Sequence, residues 1–125
     1  MSVYKGDVLI AGGGLNAGTV SAGTTVSGVN DTVVEYWVAS DGLTWYRKWA
    51  SGWKECGGKT NTSSSNYKYV NLPITFSDTS YTAIGSFADN SGYPLQYTRV
   101  QSVNGIDMQC AGSGTKYMFY YCCGY

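Results

Sequence analysis

The sequence predicts an all-β protein, a small antiparallel β-sandwich preceded by a short Gly-rich β stem. Three observations carry that expectation. Seventeen glycines stand against two prolines, and Ser, Thr, Val and Tyr fill much of the remainder, a composition of short strands and tight turns. No segment sustains the three-four apolar spacing of an amphipathic helix. Apolar and polar residues instead alternate with period two in short runs bounded by turn residues, and 125 residues accommodate roughly seven or eight such strands in one compact domain with an extended appendage.

Residues 1–36 form the predicted stem. Three near-repeats follow one another there: Ala17-Gly18-Thr19-Val20, Ala22-Gly23-Thr24-Thr25-Val26 and Asn30-Asp31-Thr32-Val33-Val34. Short valine-bearing strands between Gly, Ser and Asn turns describe a solenoid rung or a fibrous stem. A single rung cannot bury its apolar face, so it needs stacked neighbours or symmetry mates. The regular valines argue against the alternative, a flexible Gly/Ser linker.

Residues 37–125 form the predicted sandwich. A strand over Glu35–Ala39 leads into it, Ser40-Asp41-Gly42 turns the chain, and Trp45–Cys56 reads as a hairpin. Trp45, Arg47 and Trp49 alternate with Tyr46 and Lys48, and Ala50-Ser51-Gly52 supplies the loop, with Gly52 suited to a positive φ. In that register Trp49 faces Trp53, Arg47 faces Glu55 and Tyr46 faces Cys56; a two-residue Ser51-Gly52 turn would pair Lys48 with Glu55 and separate the tryptophans. After Gly57-Gly58, Lys59–Asn66 has the composition of an exposed loop. Val70, Leu72, Ile74 and Phe76 share one face of the next predicted strand, and Pro73 places it at an edge or a bulge. Tyr81–Phe87 is a further strand. Tyr97–Val103 and Ile106–Cys110 flank Asn104-Gly105, a strong hairpin signal. The closing run Lys116–Cys123 is apolar or aromatic at nearly every position, so both its faces are expected to be covered, by a sandwich or by a neighbouring subunit.

Reactive chemistry is sparse. Eight basic residues balance eight acidic ones, which leaves no broad electrostatic footprint for nucleic acid or an anionic membrane. Histidine is absent, and with it the commonest general base and metal ligand. Met1–Asp7 has no apolar core of the signal-peptide kind, and no apolar run approaches the ~20 residues of a membrane helix. Gly12-Gly13-Gly14 lacks the Lys-Ser/Thr of a phosphate loop. Asp78, Asp89 and Asp107 stand at turn-like positions, where Asp caps backbone donors. Cys56, Cys110, Cys122 and Cys123 lack zinc spacing, and the adjacent pair points to opposite faces of a strand, so packing is the expected role of the thiols. The chain is expected to be no enzyme and to carry no metal or cofactor.

Three stretches resemble the tip domains that end phage and prophage tail fibres. The first is Trp45-Tyr46-Arg47-Lys48, the Ser51-Gly52-Trp53 turn and Glu55-Cys56-Gly57-Gly58. The second is Leu72-Pro73-Ile74-Thr75-Phe76 followed by Asp78 and Tyr81. The third is the aromatic close Phe119–Tyr125 with its terminal Gly124-Tyr125. The resemblance implies a homotrimer about a fibre axis, made in the bacterial cytoplasm and acting at the tip of a virion's tail fibre, where it binds a host cell-surface glycan or protein. Sugars are held by aromatic rings and planar polar side chains, which nominates loop residues as the receptor site: Asp89, Asn90 and Tyr93 with nearby Gln96, and Asn61, Asn66 and Tyr67. Two alternatives remain: a structural trimerisation and capping domain, and a lectin-like module of a secreted protein.

Overall fold

The computed structural model describes residues 31–62, 67–88, 95–111 and 114–125. Among them are eight strands and no helix: β1 (Val33–Val38), β2 (Thr44–Trp49), β3 (Lys54–Asn61), β4 (Tyr67–Asn71), β5 (Thr82–Phe87), β6 (Leu95–Ser102), β7 (Gly105–Cys110) and β8 (Tyr117–Gly124). They form two sheets, one ordered β1-β2-β3-β8-β5 and one ordered β4-β7-β6. The all-β, two-sheet expectation holds. Most of the predicted stem lies outside the described residues.

The chain divides into two compact units. The smaller one includes the described residues up to Tyr36 together with Arg47–Trp53. In it the hairpin turn has the predicted three-residue form: the Trp49 N–H donates to the Trp53 carbonyl at 2.8 Å, and Gly52 carries a φ of 94°. Asp31 accepts from the Ser51 N–H at 2.9 Å and from its hydroxyl, while the Ala50 N–H donates to the Thr32 carbonyl. Lys48 and Glu35 stand 3.7 Å apart.

The larger unit, Trp37–Tyr46 with Lys54–Tyr125, holds the core. Cys56 of β3, Val70 of β4, Ile106, Met108 and Cys110 of β7, and Met118, Tyr120 and Cys122 of β8 bury their side chains in one cluster with Leu72, Ile74, Phe76 and Tyr81. Both sheets contribute, as a sandwich requires. All four thiols are free, and three of them are core residues. Cys122 is buried and Cys123 only half-buried, the alternation expected of strand neighbours.

Three expectations about the elements need correction. Lys59–Asn66 is not all loop, because β3 runs on to Asn61 and pairs with β8 from Lys54↔Gly124 to Asn61↔Tyr117. Gly57 and Gly58 are therefore mid-strand: a Cβ on Gly57 would stand 2.9 Å from Trp45 Cζ2, and one on Gly58 would stand 2.7 Å from the Tyr120 hydroxyl. Only glycine lets those rings lie against the backbone.

The predicted strand through Phe76 stops at Asn71. Leu72, Ile74 and Phe76 are buried as expected, but the Leu72 and Phe76 N–H groups donate to the carbonyls of Asn104 and Val103, both at 2.8 Å. The segment is strapped onto the β6–β7 turn instead of pairing in a ladder. That turn is itself one residue early: Ser102 pairs with Gly105, and Val103-Asn104 is the connection. Gly105 opens β7 because its bare α-carbon lies under the Tyr69 ring, while its carbonyl accepts from the Tyr81 hydroxyl at 3.0 Å.

The closing strand is central, between β3 and β5, and among the described residues its Met118, Tyr120 and Cys122 face is the covered one. Met118, Tyr120 and Cys122 are buried, whereas Tyr117 and Phe119 remain 42% and 47% exposed.

Candidate functional site

The outward face of β4, β7 and β6 combines aromatic rings with fixed polar groups. Strand alternation decides which side chains appear there. On β7, Ile106 and Met108 turn into the core and Asp107 and Gln109 turn outward. Across the ladders Tyr67 and Tyr97 both face Gln109, and Tyr69 and Arg99 both face Asp107. Two cross-strand rows result, Tyr67–Gln109–Tyr97 and Tyr69–Asp107–Arg99.

Asp107 anchors the face. It is 1% exposed and accepts from Arg99 Nε at 2.9 Å, Arg99 Nη2 at 3.2 Å, Gln101 Nε2 at 3.0 Å and the Tyr67 hydroxyl at 3.1 Å. Burial pushes its carboxyl up, but the donors from Arg99, Gln101 and Tyr67 and the guanidinium charge outweigh it, and the carboxyl sits below its ordinary value. The bidentate pair fixes the guanidinium plane. Arg99 also lies over the Tyr97 ring, 4.7 Å from its centroid. Tyr69 spans Gly105 and brings its hydroxyl 3.3 Å from that of Ser102. The rings are presented to solvent, with Tyr67 and Tyr69 each 39% exposed. A cleft of about 270 Å³ adjoins Tyr69 and Asn71, and Lys59 and Lys68 are among its other lining residues.

Of the loop residues nominated from sequence, Asp89, Asn90, Tyr93 and Asn66 lie outside the described residues. Gln96 falls on β6. Asn61 ends β3, opposite Tyr117 of the five-stranded sheet, whereas Tyr67 begins β4 of the other sheet. Among the described residues of that set, Tyr67 is placed with Asp107. The turn reading of Asp107 is overturned: it is mid-strand and bonded to side chains. Asp78 does cap a turn, accepting from the Ser80 N–H at 2.8 Å. Sequence reasoning missed Tyr97, Arg99, Gln101, Asp107 and Gln109. Their signal was the polar alternation Tyr97-x-Arg99-x-Gln101 and Asp107-x-Gln109 on the two arms of a hairpin.

No protein-family model and no curated protein matches the chain. Solved structures do. An N-truncated R2-type pyocin tail fibre matches with a TM-score of 0.54 and 14% identity, over 79% of this chain and 39% of its own. A C-terminal piece of a P. aeruginosa R2 pyocin fibre gives 0.54 and 15% identity over 78% of this chain and 26% of that one. An N-truncated R1-type pyocin tail fibre gives 0.51 and 12% identity over 82% and 99%. The chain thus spans well under half the length of the first two. It has the all-β fold of the R1 and R2 pyocin tail-fibre structures.

Proposed function

We propose that this chain is the tip of a phage-type tail fibre, that three copies assemble about the fibre axis, and that the tip binds a glycan on the host cell surface during adsorption. The pyocin fold supports the tail-fibre role. The observation that carries the binding role is the face around Asp107, where tyrosine rings stand beside planar polar groups held by a buried carboxylate, the combination that grips sugar rings and their hydroxyls. Each contact can be weak, because several tips on one particle raise the effective concentration. On this reading the chain is a virion component made in the bacterial cytoplasm, works by binding and not by catalysis, and needs neither cofactor nor nucleic acid nor membrane insertion.

Self-assembly has its own support. Ile84, Tyr117 and Phe119 expose apolar surface on the five-stranded sheet, and all six residues of β1 are exposed. Exposed apolar side chains such as Ile84, Tyr117 and Phe119 are of the kind a partner subunit covers. The same observation favours a second reading, a trimerisation and capping domain without a receptor site of its own.

Adsorption separates the two. Purified chain added in excess should bind host cells and block adsorption of the parent particle. Failure to bind cells that the particle infects overturns the receptor reading and leaves the capping role.

A further inference from the structure

We infer that the outward face of β4, β7 and β6 takes a charge-neutral pyranoside, seated between Tyr67 and Tyr97 above Gln109. The inference deepens the receptor-binding reading and rests on it.

Charge comes first. The outward positions on the three strands are Tyr67, Tyr69 and Asn71 on β4, Gly105, Asp107 and Gln109 on β7, and Tyr97, Arg99 and Gln101 on β6. Their sole cation and sole anion are bonded to each other through two N–H···O contacts. The face therefore offers no uncompensated charge to a carboxylate or a phosphate. It does offer the remaining guanidinium N–H groups, the Gln109 amide and the Asn71 amide, which are donors and acceptors suited to hydroxyls.

Shape agrees. Tyr67 and Tyr97 lie one strand to either side of Gln109, so their backbones stand about 10 Å apart. Side chains rising from backbones that far apart can flank one sugar ring, with the Gln109 amide as the floor. Tyr67 is tied to Asp107 and Tyr97 is covered on one face by Arg99, so the walls are set before the ligand arrives, and less ordering is lost on binding.

An acidic sugar would go elsewhere. Lys68 lines the cleft on the other side of Tyr69, while the Lys59 ammonium is committed to the Tyr117 and Phe119 rings; a uronate or phosphate bound beside Lys68 would lose affinity as salt rises.

The test is calorimetric titration of the full chain with two sets of oligosaccharides: neutral ones built of glucose, galactose, mannose or N-acetylglucosamine, and glucuronate- or phosphate-bearing ones. At least one neutral pyranoside should bind, with a dissociation constant that changes less than about twofold between 50 and 500 mM salt. Binding should weaken tenfold or more in Tyr97→Ala and in Gln109→Ala, each with an unchanged circular dichroism spectrum, and should persist in Lys68→Ala. Binding of acidic sugars alone, abolished by salt or by Lys68→Ala, overturns the inference. So does neutral binding that survives both Tyr97→Ala and Gln109→Ala, or binding to neither set. If the chain still blocks adsorption in those cases, the receptor reading stands and only the assignment of this face and ligand class falls.

Discussion

Replacing Asp107 by asparagine tests the construction of the polar face. The side chain keeps its shape, but one oxygen becomes an NH₂ donor that must face either Arg99 Nε or the Arg99 Nη2, Gln101 and Tyr67 donors. Charge-assisted hydrogen bonds contribute about 1.5–3 kcal/mol each when their partner cannot be replaced. Arg99, however, has a side chain 59% exposed, and Gln101 is exposed as well, so water takes over much of what those donors lose. The buried position itself, 1% exposed, gets no such relief. A net loss of about 2 kcal/mol follows, or a Tm drop of about 10 °C for a domain this small. Urea unfolding followed by tryptophan fluorescence measures it.

Acid supplies an internal control. A carboxyl whose folded value lies below its unfolded one stabilises fully above the unfolded value, about 3.9 for Asp, and that contribution fades as pH falls through the folded value. The gap between wild type and Asp107→Asn should therefore be full at pH 7 and shrink below about pH 4. A difference under about 0.5 kcal/mol at pH 7, the range of an ordinary surface change, or a gap that widens in acid, refutes the account.

Other outcomes are equally definite. Gly85→Ala sets a methyl group against Met108 Cε and Thr98 Oγ1, with Leu95 Cδ2 3.1 Å away, and should cost about 1–3 kcal/mol in thermal unfolding through overpacking. Phe119→Ser, on the open face of β8, should leave the fold of a single copy intact by circular dichroism while lowering the mass found by light scattering from three copies to one; an unchanged trimer would remove this face from the interface. Iodoacetamide at pH 8 on native protein should label Cys123 before the core thiols, because Cys56, Cys110 and Cys122 are at most 1% exposed, and Cys56 is further protected by its hydrogen bond to Cys122 and by burial, which push its thiol up. Equal labelling before and after denaturation would show that the core admits reagent.

Period-two alternation made most of the strands legible from sequence, and Trp49, Gly52 and Trp53 made the hairpin turn legible to the residue. What sequence reasoning missed depends on contacts between distant segments. Gly57 and Gly58 read locally as a strand end, but the β8 backbone and the Tyr120 ring make them mid-strand. Leu72–Phe76 has strand alternation, yet its amides go to the Val103 and Asn104 carbonyls, a choice made only once the β6–β7 turn exists. Asp107 falls inside the predicted strand Ile106–Cys110, which conflicts with its reading as a turn cap; the shifted turn and the bulge in β6 set it across from Arg99. The polar face around Asp107 was legible as strand alternation, which lines up Arg99, Gln101, Asp107 and Gln109.

β8 sits between β3 and β5, and it pairs Lys54 with Gly124. A ribosome making this chain delivers both flanking strands well before the one that joins them, and until it arrives their ladders stay open and prone to sticking. A copy cut short ahead of Tyr117 therefore loses the middle of its larger sheet and keeps two unjoined ladders in place of a near-native fold.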